Sequence, residues 1–441
     1  MSQTIKSACT FNPIIRDYKP NEGVKSFDDF LKNKDNAEYA KDFFAHNYMT
    51  GGMQTLFHEC LLRLSGKSDQ AVFELTQAMG GGKTHMMLAL AWLAYAPDQR
   101  PYVLKPSLLE RVDFDKANLA LYTGRNSGGG GFVWQNIAAQ LAHSPEKEKA
   151  IEPYYINGPK GVGAEVWKDI IGDKPTLILL DELPPYLEYA CTQSYGQGTL
   201  ADIVVYSLAN LMQAAMELPR CAVVLANLSG SYKKPTDRLR EAISNLSQET
   251  RRSAMTITPV ELSGNEIYEI LKKRFIQTLP DEPTITVIAK SYEAALEKAK
   301  RAGYITASTL ENIADQIKET YPFHPSFKHI VALFKENETF RQTRGLMEFT
   351  ARLFKSIDER KTDDVFLRIN QCRLMVSLHT GIGKVNQAVL IHFLYIGRIG
   401  YIKHGKLHTF GPTCVLVCII PDTQKQSLSV RMQIGGKSRN L

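Results

Sequence analysis

The stretch VFELTQAMGGGKTHMMLAL, residues 72–90, passes from a short apolar run through three consecutive glycines into Lys83 and Thr84, and then into an apolar segment of helical length. That order, strand then glycine-rich turn then helix, is the setting in which a backbone can cradle phosphate. Gly80, Gly81 and Gly82 let the chain wrap closely enough for successive N–H groups and the helix start to point at phosphate oxygens. Lys83 supplies a cation for the β- and γ-phosphates, and the Thr84 hydroxyl is a ligand for Mg²⁺. His85 closes the segment expected to contact the nucleotide. The stretch departs from the pattern GxxxxGK[ST] at its first glycine, where Gln77 stands; this bears on how the chain enters the loop and leaves the Lys-Thr pair intact.

Working outward, short apolar runs at 71–75, 119–122, 176–180, 222–226 and 255–258 alternate with segments of helical length at 84–95, 133–142, 199–217 and 236–252. Five strands alternating with helices predict an α/β fold built on a parallel sheet. The third run ends abruptly in Asp181 and Glu182, and a buried strand has no packing use for two acids. Their chemical use is to hold the water shell of Mg²⁺ (Asp181) and to orient and deprotonate an attacking water (Glu182).

Residues 1–65 read as an extended lead-in followed by helices, with Ser26 before Phe27 as a helix start and Leu56, Cys60 and Leu64 on one face. Residues 66–262 form the expected phosphate-binding core. The segment 263–366 is charged and helical in period, and predicts a smaller α-helical domain. After Phe366 the composition changes. Ten of the 53 Lys and Arg but one of the 46 acids lie in 367–441, so the preceding residues carry 43 bases against 45 acids. The net charge of +7 therefore describes the tail and says nothing of a nucleic-acid face on the body. Two readings of 367–441 stand: a small basic β-rich domain, or sequence out of its native frame.

With 44% hydrophobic and 22% charged residues the chain of 441 is composed like a globular protein, not a disordered polymer. Its apolar runs fall short of the ~20 residues of a membrane span, and its first residues carry no apolar leader, so a cytoplasmic location without membrane contact is expected. Seven cysteines without regular spacing suggest reduced thiols.

The segments QAMGGGKTH (77–85), LLDELPPYLEYA (179–190), TPVE (258–261), YPFHPSF (321–327) and FRQTRGL (340–346) give the chain a closer likeness. Across about residues 40–366 it resembles AAA+ superfamily ATPases, and among them a group of large AAA+-like ATPases of uncharacterised role, related to the BrxC and PglY ATPases. Their genes often sit beside DNA methyltransferases and helicases in bacterial phage-defence islands. The resemblance implies a P-loop NTPase core with a helical lid, ATP and Mg²⁺ as cofactors, hydrolysis coupled to conformational change, and a homo-oligomer with methyltransferase or helicase partners; direct DNA contact is left open. It also implies a polar sensor at Asn227, with Ser229 as the alternative. An arginine finger at Arg251 or Arg252 is implied, together with a second sensor at Arg344, for which Arg341 competes, and base contacts near Tyr48, Thr50 and Gly51. Members of that group are generally longer, and the likeness is expected to stop near Asp364.

Other features invite plainer readings. The glycines 128–131 have no Lys-Ser/Thr after them and read as a loop. Tyr186, Tyr189 and Tyr195 lack interleaved bases and read as packing or surface aromatics, not a stacking platform. Cys414, Cys418, His404 and His408 lack zinc-site spacing. A nucleotide-gated scaffold without turnover is the competing functional reading, and a phosphotransferase is a third; Glu182 favours hydrolysis, since a scaffold needs no base.

Overall fold

The computed structural model describes residues 5–18, 26–76, 82–125, 131–226, 236–260, 265–301, 312–325, 327 and 342–359, and separate strands between 393 and 440. By contacts the chain divides into two compact units: residues 20–261 with 342–344, and residues 1–19 with 262–341 and 345–441.

The first unit is built on five parallel strands, β1 (Val72–Leu75), β2 (Asn118–Thr123), β3 (Thr176–Asp181), β4 (Cys221–Ala226) and β5 (Ala254–Ile257), in the order β2-β3-β4-β1-β5. β1, β3 and β4 are buried along their whole length, which is why they read as continuous apolar runs. Side chains alternate between two cores. On one face Leu177 and Leu179 of β3 join Phe73, Leu75, Val224 and the helices α1 (Phe27–Asn33), α2 (Ala37–Ala45), α3 (Gly51–Leu64) and α4 (Lys83–Tyr95). On the other, Ile178, Leu180, Val223 and Leu225 meet α5 (Val133–Leu141), α6 (Ala164–Ile171), α7 (Leu183–Thr192), α8 (Leu200–Glu217) and α9 (Asp237–Ser253).

Strand order explains this division. The chain leaves the middle of the sheet in one direction, from β1 to β2, and returns in the other through β3, β4 and β5. Right-handed crossovers then place α4 on one face and the later helices on the opposite one. The direction reverses at β1, and it is at the carboxyl ends of the strands beside such a reversal that open α/β sheets hold ligands. α4 is apolar around its circumference because it is covered on its outer side too: Trp92 meets Phe30 edge-on at 4.8 Å and Tyr39 at 6.2 Å. The helices expected as a separate lead-in are thus part of this core.

The second unit contains α10 (Glu266–Phe275), α11 (Glu282–Arg301), α12 (Ile313–Thr320) and, from Gly345 on, α13 (Gln342–Glu359). Residues 5–18 belong here, apart from the helices that follow them in sequence. Thr10–Phe11 pairs antiparallel with Ile276–Thr278, Phe11 packs on Phe354 at 5.0 Å, and Lys355 Nζ donates to the Arg16 carbonyl at 2.6 Å. Ile5, Cys9 and Ile15 enter the core with Phe275, Phe323 and Phe354. In the tail, strands 393–395, 415–420, 429–434 and 437–440 form one antiparallel sheet, and 399–403 pairs with 406–410. No helix among the described residues is long and apolar enough to cross a membrane.

Candidate functional site

Gly82 opens α4 with φ 87° and ψ 8°, a left-handed conformation that suits glycine and lets the chain turn from the loop into the helix. Lys83 and Thr84 occupy the first turn. Gly80 and Gly81 lie outside the described residues. Facing this turn is the end of β3. Alternation along that strand puts Asp181 on the same face as Leu177 and Leu179, the face covered by α4. The result is a direct contact: Thr84 Oγ1 donates to Asp181 Oδ2 at 2.5 Å, although 97 residues separate them in sequence.

Asp181 is 3% exposed. Burial raises its pKa above the ordinary carboxylate value, and the neighbouring Glu182 charge pushes the same way; the Thr84 hydrogen bond, the Lys83 charge and the Glu182 N–H oppose this. Burial likewise lowers the Lys83 pKa, while Asp181 and Glu182 pull it back up. Asp181 and Lys83 each thus oppose the effect of burial on the other. Groups perturbed by burial and by one another, converging at the carboxyl edge of a sheet, make this the candidate functional site.

Glu182 follows Asp181 with φ 48° and ψ 43°. A left-handed backbone at a residue with a Cβ is strained and persists only where its surroundings over-determine it. Its N–H donates to Asp181 Oδ1 at 2.9 Å, and its carboxylate Oε2 is ion-paired with Arg125 Nε. Arg125 was not singled out by the sequence reading. The register Thr123 with Asp181 brings the ends of β2 and β3 side by side, and only that pairing reveals the contact. The available signal was the sequence Thr-Gly-Arg (123–125) directly after an apolar run.

The other expected residues fall in different places. His85 Nε2 lies 3.0 Å from Asn47 Oδ1, and its ring stacks on Phe43 at 4.7 Å, so this side chain ties α4 to the chain before α3. Thr50 caps α3 by accepting from Met53 N and donates to the Pro259 carbonyl at 2.6 Å, bringing the segment 48–51 to the residues that follow β5. Asn227 and Ser229 follow directly on β4 but lie outside the described residues, as does Arg341. Arg344 is in the first turn of α13, its side chain outside the described residues. Arg251 and Arg252 form the last turn of α9, exposed, with Arg252 bound to Glu249 at 3.0 Å. They precede Ala254, which pairs with Val72, so they stand at the amino edge of the sheet. The phosphate-loop segment leaves the opposite edge, about 10 Å away along the strand.

Tyr186 is buried, its hydroxyl accepting from Val133 N at 3.2 Å, while Tyr189 and Tyr195 are exposed. No group of three His, Cys, Asp or Glu side chains arranged for a metal occurs among the described residues; His404 and Cys414 lie outside them.

Against known families, residues 31–103 match the DUF499 N-terminal domain and residues 263–380 match the DUF499 second domain, regions of a family of unknown function. The first match begins within α1, takes in α2, α3 and α4 with Lys83 and Thr84, and ends well before Asp181. The second spans the helical unit and runs past the composition change after Phe366. No curated protein matches the chain.

Proposed function

We propose that residues 20–261 bind ATP with Mg²⁺ and hydrolyse it, as a P-loop NTPase of AAA+ type whose turnover drives conformational change. The observation that carries this reading is the 2.5 Å contact between Thr84 Oγ1 and Asp181 Oδ2. A hydroxyl from the start of a helix and a buried carboxylate from the end of a strand present two hard oxygen donors beside Lys83. This is the donor type that Mg²⁺ takes when it binds together with substrate phosphates. Thr84 and Asp181 are the residues that would hold the cation, which when bound would neutralise charge on the phosphates. Each would then exchange its present partner for the ion.

The remaining steps belong to the chain itself. The N-terminal turn of α4 offers backbone N–H groups and the positive end of the helix dipole to the phosphates. Lys83 adds its charge, which burial disfavours and the charges of Asp181 and Glu182 favour. Glu182, one residue beyond Asp181 and partly exposed, is in this reading the group that takes a proton from water. A role in a DNA-directed defence system, with methyltransferase or helicase partners, is the biological setting that the resemblance supports. Arg251 and Arg252, remote from their own chain's site, suit a homo-oligomer in which they complete a neighbour's.

Nucleotide titration and turnover on three proteins test this. Lys83→Ala is expected to abolish ATP binding. Glu182→Gln is expected to retain it while slowing hydrolysis by about 10² or more, the scale of a lost general base. Undiminished binding in Lys83→Ala would sink the assignment. Equal turnover in Glu182→Gln and wild type would favour the nucleotide-gated scaffold.

A further inference from the structure

We propose that the helical unit carries a binding site for a small zwitterion of α-amino-acid type with an apolar side chain, in a cavity between residues 9–16 and the end of α13. The site is built from residues other than those of the phosphate-binding turn and does not depend on the hydrolytic reading.

The amino-terminal wall is fixed by its own contacts. Phe11 is held by its pairing with Ile276 and by its ring contact with Phe354. Asn12 N donates to the Phe275 carbonyl at 2.9 Å, and the Asn12 side chain accepts from Ile14 N at 3.1 Å. Ile15 N and Arg16 N then donate to the Asn12 and Pro13 carbonyls, closing the 3₁₀ turn Pro13–Ile15. Lys355 of α13 ties the far end through the Arg16 carbonyl. Between this turn and Asp358 lies a cavity of about 320 Å³. That is at the small end of the range for ligand pockets and suits a molecule of amino-acid size. Cys9, Phe11, Pro13 and Ile15 give it apolar surface, and Arg16 and Asp358 supply its two charges.

The charges decide the class of ligand. Arg16 Nη2 and Nε lie 3.3 and 3.4 Å from one oxygen, Asp358 Oδ2. A well-made charge-assisted bond is shorter, about 2.7–2.9 Å. Among the described residues Asp358 is the one partner of the Arg16 side chain. With these side chains 70% and 27% exposed, the pair is worth little to the fold and opens at little cost. A simple anion drawn to Arg16 meets the Asp358 charge, and a simple cation drawn to Asp358 meets Arg16. A molecule with an ammonium and a carboxylate on one carbon answers both. Its carboxylate takes the guanidinium, its ammonium takes the aspartate, and its side chain covers Phe11 and Pro13. Burial pushes the Cys9 thiol up to about 11 against the opposing Tyr321 hydrogen bond, so it stays protonated at neutral pH and adds no covalent chemistry.

The test uses the full chain and isothermal calorimetry with L-leucine, beside isocaproate and isoamylamine, which keep the branched chain but carry one charge each. Leucine is expected to bind saturably with a Kd of about 1 mM or tighter. Each analogue should bind about 10-fold more weakly or worse, since it leaves one charge unanswered. Arg16→Gln and Asp358→Asn should each weaken leucine binding about 10-fold or more, while the ligand-free melting temperature stays where it is, as so loose a pair implies. Lys83→Ala should bind leucine as wild type does, which separates this cavity from the nucleotide site. Leucine binding weaker than about 1 mM, an analogue that binds as well as leucine, undiminished binding in either charge variant, or loss of binding in Lys83→Ala overturns the inference. Failure of ATP binding or turnover leaves it standing.

Discussion

Replacing Asp181 by Asn should make the nucleotide-free α/β unit more stable and at the same time remove its response to Mg²⁺. Asp181 accepts two hydrogen bonds, from Thr84 Oγ1 at Oδ2 and from Glu182 N at Oδ1. An asparagine keeps both: its carbonyl accepts from the Glu182 N–H, and its amide donates to the Thr84 oxygen, since a hydroxyl can accept as well as donate. What is removed is a buried negative charge whose desolvation outweighs the help of Lys83 and Thr84, as the raised pKa shows. Relieving strain of this kind at a functional site gains about 1 kcal/mol. With a urea slope of about 3 kcal/mol/M for a unit of this size, the midpoint should rise by about 0.3 M. Tryptophan fluorescence reads this unit alone, because all three tryptophans, Trp92, Trp134 and Trp167, are buried in it. The pH dependence has a definite sign. Above its ordinary 3.8, the folded-state carboxyl binds its proton more tightly than the unfolded chain does. Wild type therefore gains on the variant as pH falls through the folded-state value, and the gap is closed by about pH 3.8. A variant less stable than wild type at pH 7, or a gap that acid leaves unchanged, would refute the account of Asp181 as a desolvated charge retained for its chemistry.

Two further expectations follow from named contacts. Arg63 is 4% exposed and donates to the carbonyls of Ser68, Ala215, Met216, Leu218 and Cys221, closing the end of α8 against the start of β4; Arg63→Met strands these acceptors and should cost about 3 kcal/mol, or about 1 M in the same urea titration. If Arg251 or Arg252 acts on a neighbour's site, turnover per chain should rise with protein concentration. A mixture of Lys83→Ala chains with chains mutated at both arginines should then regain activity, an effect that can reach ~10³ in rate; failure on both counts would return the arginines to capping the α9 dipole.

The parts of this structure that sequence made legible are those whose physics is local. Strands buried on both faces appear as apolar runs, and an acid at the end of such a run, as at Asp181, stands out because packing cannot explain it. The turn at Gly82 is legible for the same reason. What was not legible depends on pairings between distant segments. Nothing near Thr10 announces a partner at Thr278, so residues 5–18 read as a lead-in to the helices beside them and not as part of the helical unit. Arg125 looked like one charge among 99 until register set it against Glu182. His85 follows the Lys-Thr pair in sequence, but its ring is engaged by Phe43 and Asn47, a contact that depends on how α2 covers α4.

The family matches have a physical reading of their own. The segment 31–103 holds the phosphate-loop sequence, Lys83 and Thr84, but it cannot form the site alone. Its single sheet strand, β1, is paired on one side with Cys221–Ala226 and on the other with Ala254–Ile257. Without those neighbours Phe73 and Leu75 lose the cover of Val224 and Ile257, and the N–H and C=O groups of a strand buried along its length have no partners. The carboxylate that answers Thr84 arrives from a strand one place further out, beyond β4. The arrangement therefore draws on the whole span from 72 to 257: the first turn of α4 supplies charge and hydroxyl, the end of β3 and the residue after it supply both acids, and the end of β2 sets Arg125 against the second. That convergence makes the site sensitive to substitutions far apart in sequence, at Asp181 as much as at Lys83.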